Sequence, residues 1–427
     1  MEDKQRKSTW RDVIRGNVLM MGLVSLFTDM SSEMIYPLLP VFISGLVSVG
    51  SAAIYVGLME GIAESVSSLL KIFSGRWSDA LGKRKQLVVI GYWISTFSRP
   101  AMALSTMGWH VIALRFFDRI GKGIRTSPRD ALISDSIGPE MRGRAFSFQR
   151  ALDHLGAVIG SLSAILILYI FLGYGLWQGR TDSATPAEMS AMKKLFAISL
   201  IPGIFAMITL IAKVREIPPG KMDTTGLGVR ETEFRPALPR RFFFFLTTVT
   251  IFALGNSSDL FLVFYGKTKF QLGLMQVILL WVALHMSKIA FSFLGGYIAD
   301  RFGRGRSLII GWAIYALVYL GIARVESQGI FWILILIYGV YYGMTEGAAG
   351  ALVAEYTSSE HRGKAYGYYH GAIGLAALPA SLVFGVFWAK LGPQIAFTIG
   401  ASLAGLASIL LFFLLLSNHA AGKTHST

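Results

Sequence analysis

The chain has 427 residues, 53% of them hydrophobic and 15% charged, with a formal net charge of +15. That much apolar side chain exceeds what a soluble protein of this length hides, so an ordinary soluble fold is excluded and a polytopic membrane protein is expected. The basic residues sit in short loops between apolar runs and not in a compact patch, which argues against nucleic acid as a partner. The absence of cysteine removes disulfides, thiolate metal sites and thiol nucleophiles.

Residues 1–16 form a charged segment with Lys4, Arg6, Lys7, Arg11 and Arg15. The apolar run after it carries Asp29 and Glu33 and lacks a small-residue cleavage site, so it reads as a retained first span and not a signal peptide. A helix needs about 20 apolar residues to cross a ~30 Å hydrocarbon layer. Twelve such runs are predicted: 17–45, 52–77, 86–107, 109–136, 145–173, 191–213, 242–265, 273–299, 307–325, 330–356, 365–391 and 394–417. The expected fold class is therefore all-α and polytopic, with a six-helix bundle at 17–213 and a second at 242–417. Residues 214–241, with Pro218-Pro219-Gly220, read as the linker, and 418–427 as a tail. Placing the N-terminus inside puts most loop Lys and Arg on the cytoplasmic side, so both termini and the linker are expected there, in a cell inner membrane.

The two bundles repeat one another. Gly75, Asp79, Gly82 and the basic run Lys83-Arg84-Lys85 follow the second span; Gly296, Asp300, Arg301, Gly303 and Arg304 follow the eighth, 221 residues later. Residues 130–146 align without gaps on 350–366, with Ala131/Ala351, Leu132/Leu352, Glu140/Glu360, Arg142/Arg362, Gly143/Gly363 and Ala145/Ala365 identical. Ser31-Ser32-Glu33 is matched more faintly by Ser257-Ser258-Asp259. Halves with an even number of spans repeat with the same topology, so the pseudo-axis runs along the membrane normal.

The repeated GxxxD-x-x-G-basic loop resembles the signature between the second and third helices of major facilitator superfamily transporters, bacterial in type. The resemblance covers about residues 17 to 417. It implies a central cavity, alternating access, and cytoplasmic latches at Asp79 and Asp300 that hold the outward-facing state. A carboxylate at such a helix end can accept bonds from a facing helix N-terminus and from arginines. Arg84, Arg129, Arg142, Arg301, Arg304 and Arg362 are candidate members of that gate, with Gly75, Gly82, Gly296 and Gly303 shaping its loops. The stretch from Arg115 to Gly123 resembles the superfamily's fourth-helix motif, whose arginine corresponds to Arg115 and is associated with proton coupling; Asp118 and Arg119 depart from that motif. Gly156 and Gly160 resemble part of the antiporter motif of the fifth helix, although Ser161 and Ala164 replace its Pro and Gly.

A charge in hydrocarbon costs at least ~2.5–3.5 kcal/mol at the helix centre, so buried ionisable groups should face protein or water. The sixth, ninth and twelfth spans are nearly free of charge and the third carries only Arg99, which makes these four the expected lipid-facing set. The fourth span is the opposite case. Arg115, Asp118, Arg119, Lys122, Arg125 and Arg129 fall on one helical stripe. Two readings stand: internal pairing around Asp118 and with Glu33, Glu60 and Glu64, or contact with solute and protons. The cationic surplus suits an anionic or carboxylate-bearing solute.

Asp29 and Glu33 on the first span, and Glu60 and Glu64 on the second, lie one turn apart. Like charges so placed in low dielectric resist joint ionisation, which makes Asp29, Glu33 and Glu64 candidate proton or solute groups, with static pairing as the alternative. Asp153 beside His154 is a further candidate. In the second half Asp259, His285, Lys288, Glu346 and His370 look isolated. Glu346 is the best of them, because its repeat position is Thr126, beside Arg125; Tyr338, Tyr341 and Tyr342 offer an aromatic wall or ordinary packing.

No P-loop, HExxH or GxSxG motif occurs and the seven histidines are dispersed, so direct ATP drive, catalysis, metal and cofactors are not expected. The reading is a monomeric, proton-coupled secondary transporter of a small organic solute, leaning to efflux. Import of an organic anion or siderophore-like metal chelate is one alternative, and a non-transporting receptor or lipid flippase on the same fold is another.

Overall fold

A computed structural model describes residues 14–81, 83–137, 142–178, 183–216, 238–357 and 362–423, and every regular element among them is a helix. The first run is α1 (Gly16–Glu33), a 3-10 turn (Tyr36–Leu38) and α2 (Leu39–Ser44). It is followed by α3 (Val49–Leu81), α4 (Arg84–Ala101), α5 (Gly108–Asp135), α6 (Arg142–Leu172), α7 (Pro186–Ile198) and α8 (Leu200–Lys213). After the linker come α9 (Arg240–Gly255), α10 (Leu260–Phe270), α11 (Leu274–Phe302), α12 (Arg304–Arg324), α13 (Gln328–Glu355), α14 (Arg362–Leu391) and α15 (Pro393–Lys423).

Eleven continuous or broken runs among the described residues are long and apolar enough to cross a membrane. The twelfth is α5, whose 28 residues have the length but carry too much charge to qualify by composition. The breaks have local causes. In the first run Pro37 cannot donate a ladder hydrogen bond and disfavours helix in the residue before it, so the chain leaves α1 and restarts at Leu39. In the seventh run Gly255 and Asn256 are weak helix formers, and the ends they open are capped by side chains: Tyr315 Oη donates to Gly255 O at 3.1 Å, and Ser258 Oγ accepts from Leu260 N at 3.3 Å. Gly303 starts α12 from a φ of +94°, a left-handed conformation that a side chain would strain.

The described residues form two compact units. The first lies within Met1–Leu38, Val66–Gly173 and Ala187–Glu233; the second lies within Leu39–Ser65, Tyr174–Pro186 and Phe234–Thr427. The long helix α3 is therefore shared, its first half packing in the second unit, where Gly57 and Gly61 lie against the backbone of Ser381 and Leu378 on α14.

In the first unit, α6 packs on α1 through Gly156 and Gly160. A methyl group at either position would collide with the carbonyl oxygens of Leu26 and Met30. The glycine pair thus permits close helix approach, as its spacing leads one to expect. One end of this unit closes over Val18, Met21, Val24, Val88, Tyr92, Leu132 and Leu210. Asn17 fastens the start of the linker there: its Nδ2 donates to Arg215 O and its Oδ1 accepts from Arg215 N, each at 2.8 Å.

The second unit is built on aromatic packing instead. Phe252 stacks on Trp312 at 4.8 Å, Tyr315 on Tyr319 at 4.1 Å, and Tyr265, Phe331, Trp388 and Phe397 form a further cluster. On the membrane side, exposed apolar stripes run along α4 (Ile90, Trp93, Phe97), α8 (Ile201, Phe205, Ile208) and α15 (Ile409, Phe412, Phe413, Leu416). These are helices of three of the four runs expected to face lipid, but exposed apolar side chains also line α6 (Leu162, Leu166, Ile170) and α13 (Ile330, Ile333, Ile337).

Candidate functional site

The charged stripe of α5 divides into a closed part and a reachable part. Asp118, 2% exposed, is the centre of the closed part. Its Oδ1 accepts from Arg99 Nε at 3.0 Å, its Oδ2 accepts from Arg115 Nη1 at 3.1 Å, and Arg119 Nε lies 3.8 Å from Oδ2. Arg99 also donates from Nη1 to Thr28 O at 2.8 Å, so a single residue of α4 joins α1 to α5. The Arg115 guanidinium carbon lies over the Tyr36 ring, 4.3 Å from its centre. One acid serves three arginines here. In low dielectric such a knot is retained only when its bonds are satisfied, because a buried charge left alone is strongly destabilising.

Arg125 is also buried, and α4 holds it. Its guanidinium donates to Ser95 Oγ and lies 4.4 Å from the Tyr92 ring centre. The helices approach closely at this point, with Gly121 against Gly91 O. Of the sequence candidates on α5, then, Arg115, Asp118 and Arg125 face neighbouring helices of their own unit.

The reachable part is made of Asp29, Glu33, Lys122 and Asp153, each partly exposed. Glu33, Lys122, Arg99 and Arg125 are the charged neighbours of Asp29. Asp153 on α6 has Asp29 and Arg129 as its charged neighbours. Gln149 Nε2 contacts both Asp153 oxygens, at 2.8 and 2.7 Å, and Ser25 Oγ at 2.9 Å, which fixes the Asp153 carboxylate toward α1. Asp29 thus has a lysine of α5 and a carboxylate of α6 among its charged neighbours, the kind of setting in which a group can exchange a proton or an ionic partner. Glu64 is exposed, on the portion of α3 that belongs to the second unit.

Among the gate candidates, Arg84 at the start of α4 pairs with Asp135 at the end of α5, and Arg129 binds Asp130 Oδ1 through Nε and Nη2 at 3.0 and 2.9 Å. Arg301 and Arg304 are exposed at the α11–α12 corner beside Gly303. Gly82 lies outside the described residues, as do the side chains of Asp79, Asp300, Arg142, Arg362 and Glu346 and the surroundings of Gly75 and Gly296.

Sequence reasoning missed two features. Arg99 is not a stray charge in a lipid-facing span; it enters the Asp118 knot, and only an assignment of helix neighbours could reveal this. Asp259 and Lys288 are not isolated either. They form an ion pair, and Asp259 Oδ1 accepts from Tyr338 Oη at 2.7 Å.

Membrane-length helical runs among the described residues, with charge buried inside the first unit, define a polytopic membrane protein as the class. The sequence profile of the Major Facilitator Superfamily matches residues 21–348 and 265–426. The chain is 32% identical over 405 residues to an uncharacterized MFS-type transporter of Methanocaldococcus jannaschii, covering 93% of this chain and 94% of that one. It is 32% identical over 168 residues, 39% of each chain, to the multidrug resistance protein MdtH of Salmonella newport. Among solved structures it resembles a D-xylose-proton symporter with a TM-score of 0.71 at 17% identity, covering 94% of this chain and 97% of that one. The chain belongs to the major facilitator superfamily and is a multi-pass membrane protein with that superfamily's fold.

Proposed function

We propose that this chain is a proton-coupled secondary transporter of small organic anions, working by alternating access and exporting its solute. The observation that carries the reading is the division of charge in the first unit. Asp118 absorbs Arg99, Arg115 and Arg119 in a buried knot, while Asp29, Glu33, Asp153 and Lys122 stay partly exposed. The four partly exposed groups stay within reach of water and small solutes, which the Asp118 carboxylate does not. Lys122 beside Asp29 sets an anion-holding group next to a carboxylate able to take up a proton, so the two charges can influence each other's binding.

The cationic surplus of the stripe supports an anion over a cation. The likeness of part of the chain to a multidrug resistance protein favours export. The loop positions Asp79 and Asp300, with Arg142 and Arg362, are the proposed cytoplasmic latches. Concentration of Lys and Arg in alternate loops supports a cytoplasmic membrane with both termini inside. The unit of function is taken as the monomer.

Reconstitution into proteoliposomes with an imposed pH gradient tests this. Accumulation of an organic anion that collapses when the gradient is dissipated is expected. Flux that follows only the solute's own gradient would reduce the protein to a facilitator, and flux directed inward against the proton gradient's export sense would make it an importer.

A further inference from the structure

The seventh run breaks at Asn256 to Asp259, and four hydroxyls or carboxylates from other helices close around that break. Tyr315 Oη donates to Gly255 O, Ser257 Oγ lies 3.1 Å from Tyr319 Oη, Ser258 Oγ donates to Glu60 Oε2 at 3.2 Å, and Tyr338 Oη reaches Asp259. Unwound backbone inside a membrane protein is tolerated where protein buries it or where it lines a polar path. At this break the Asp259 carboxylate receives two converging donors, Lys288 Nζ on Oδ2 and Tyr338 Oη on Oδ1. The side chain of Asp259 is 23% exposed and that of Lys288 is 12% exposed, so the pair is within reach of a small molecule. The Tyr342 ring lies under Lys288 with its centre 4.4 Å from Nζ, and Tyr338 stands at 5.9 Å. His285, Tyr315, Tyr319 and Tyr341 are further titratable neighbours of Asp259.

The internal repeat gives this cluster a counterpart. An offset of 226 residues sets Asp259 on Glu33, and an offset of 220 sets Tyr338 on Asp118 and Tyr342 on Lys122. Part of the second unit's polar cluster therefore falls at the register of the first unit's charged one, with Tyr342 in place of Lys122, whereas Lys288 falls on Ser67 at the 221-residue offset of the loop motif and has no charged counterpart.

We propose that Lys288 is the anion-holding group of a solute subsite in the second unit, occupied at rest by the Asp259 carboxylate, and that it takes a monocarboxylate with a flat aromatic body. The resting ion pair demonstrates the fit, since a carboxylate already sits between the ammonium and the Tyr338 hydroxyl. Tyr342 supplies a face on which an aromatic body stacks beside the bound acid. On displacement Lys288 stays paired with the incoming acid, and Asp259, the more exposed partner at 23%, is the one that must turn to water. The inference rests on the transport reading above for its role, but its chemistry is separable.

The test uses the full chain in detergent, with 2-naphthoate as probe, 2-naphthamide as its uncharged control, and ligand-induced thermal shift as readout. Naphthoate should stabilise the wild type and naphthamide should not. Asp259→Asn removes the internal competitor and should respond at about tenfold lower naphthoate, the scale of one charged hydrogen bond regained by the probe. Lys288→Met should not respond. The double variant Asp259→Asn/Lys288→Met, which leaves no buried charge unpaired, should fold and stay silent. A double variant that responds like Asp259→Asn alone, or an Asp259→Asn variant that gains nothing over the wild type, overturns the subsite. Binding in the expected pattern without proton-driven flux supports the subsite and removes the transport reading. Proton-driven naphthoate flux that survives in Lys288→Met does the reverse.

Discussion

Asp118 and Asp29 lie on adjacent helices, yet their surroundings assign them different work. Asp118 is enclosed by Arg99, Arg115 and Arg119, and its removal leaves three guanidiniums without their shared acid. Asp118→Asn is expected to lower stability by about 3–5 kcal/mol, the cost of breaking a buried ion pair from one side. A clear drop in the thermal unfolding midpoint checks this; a variant as stable as the wild type would mean that the knot does not hold α1, α4 and α5 together. Asp29 is partly exposed and has a lysine beside it. Asp29→Asn should leave the unfolding midpoint within a few degrees of the wild type while abolishing proton-coupled flux. If it lost stability as Asp118→Asn does, Asp29 would belong to the static framework. Arg125, bonded to Ser95 and Tyr92, should likewise show a stability effect before a coupling effect.

At the scale of elements, close helix approach and helix breaks define the site. Gly156 and Gly160 bring α6 onto α1 and so bring Asp153 near Asp29. Gly160→Leu would overpack that contact at a cost of roughly 1–3 kcal/mol. It should also weaken proton coupling by moving Asp153 away, and unchanged coupling together with an unchanged midpoint would refute the contact. This level was unevenly legible in the sequence. Hydropathy runs located the spans, and Gly156 with Gly160 announced a close contact. The stripe on α5 was visible from its 3.6-residue period. Periodicity assigns a face to a helix but does not say which helix lies opposite, and for that reason Arg99 was not linked to Asp118. Asp259 and Lys288 are 29 residues apart on different runs, and nothing local to either residue signals the partner.

At the scale of the whole molecule, a repeated sequence has produced two units of different character. The first centres on an acid among arginines; the second centres on tyrosines around an ion pair. The repeat was legible in the two loop motifs and in the alignment of 130–146 on 350–366, and it implied the superfamily fold that the comparisons bear out. Solute, coupling and direction depend on side-chain chemistry that the repeat does not share, so exposure and neighbouring charge bear on them and the repeat does not. The proposed function makes proton movement and solute movement one event, joined at Asp29. It is tested most directly by proteoliposomes loaded with a pH-sensitive dye and challenged with an organic anion gradient, 2-naphthoate first. The gradient is expected to move protons in the wild type and none in Asp29→Asn. Solute flux without proton movement in the wild type, or proton movement that persists unchanged in Asp29→Asn, would contradict it.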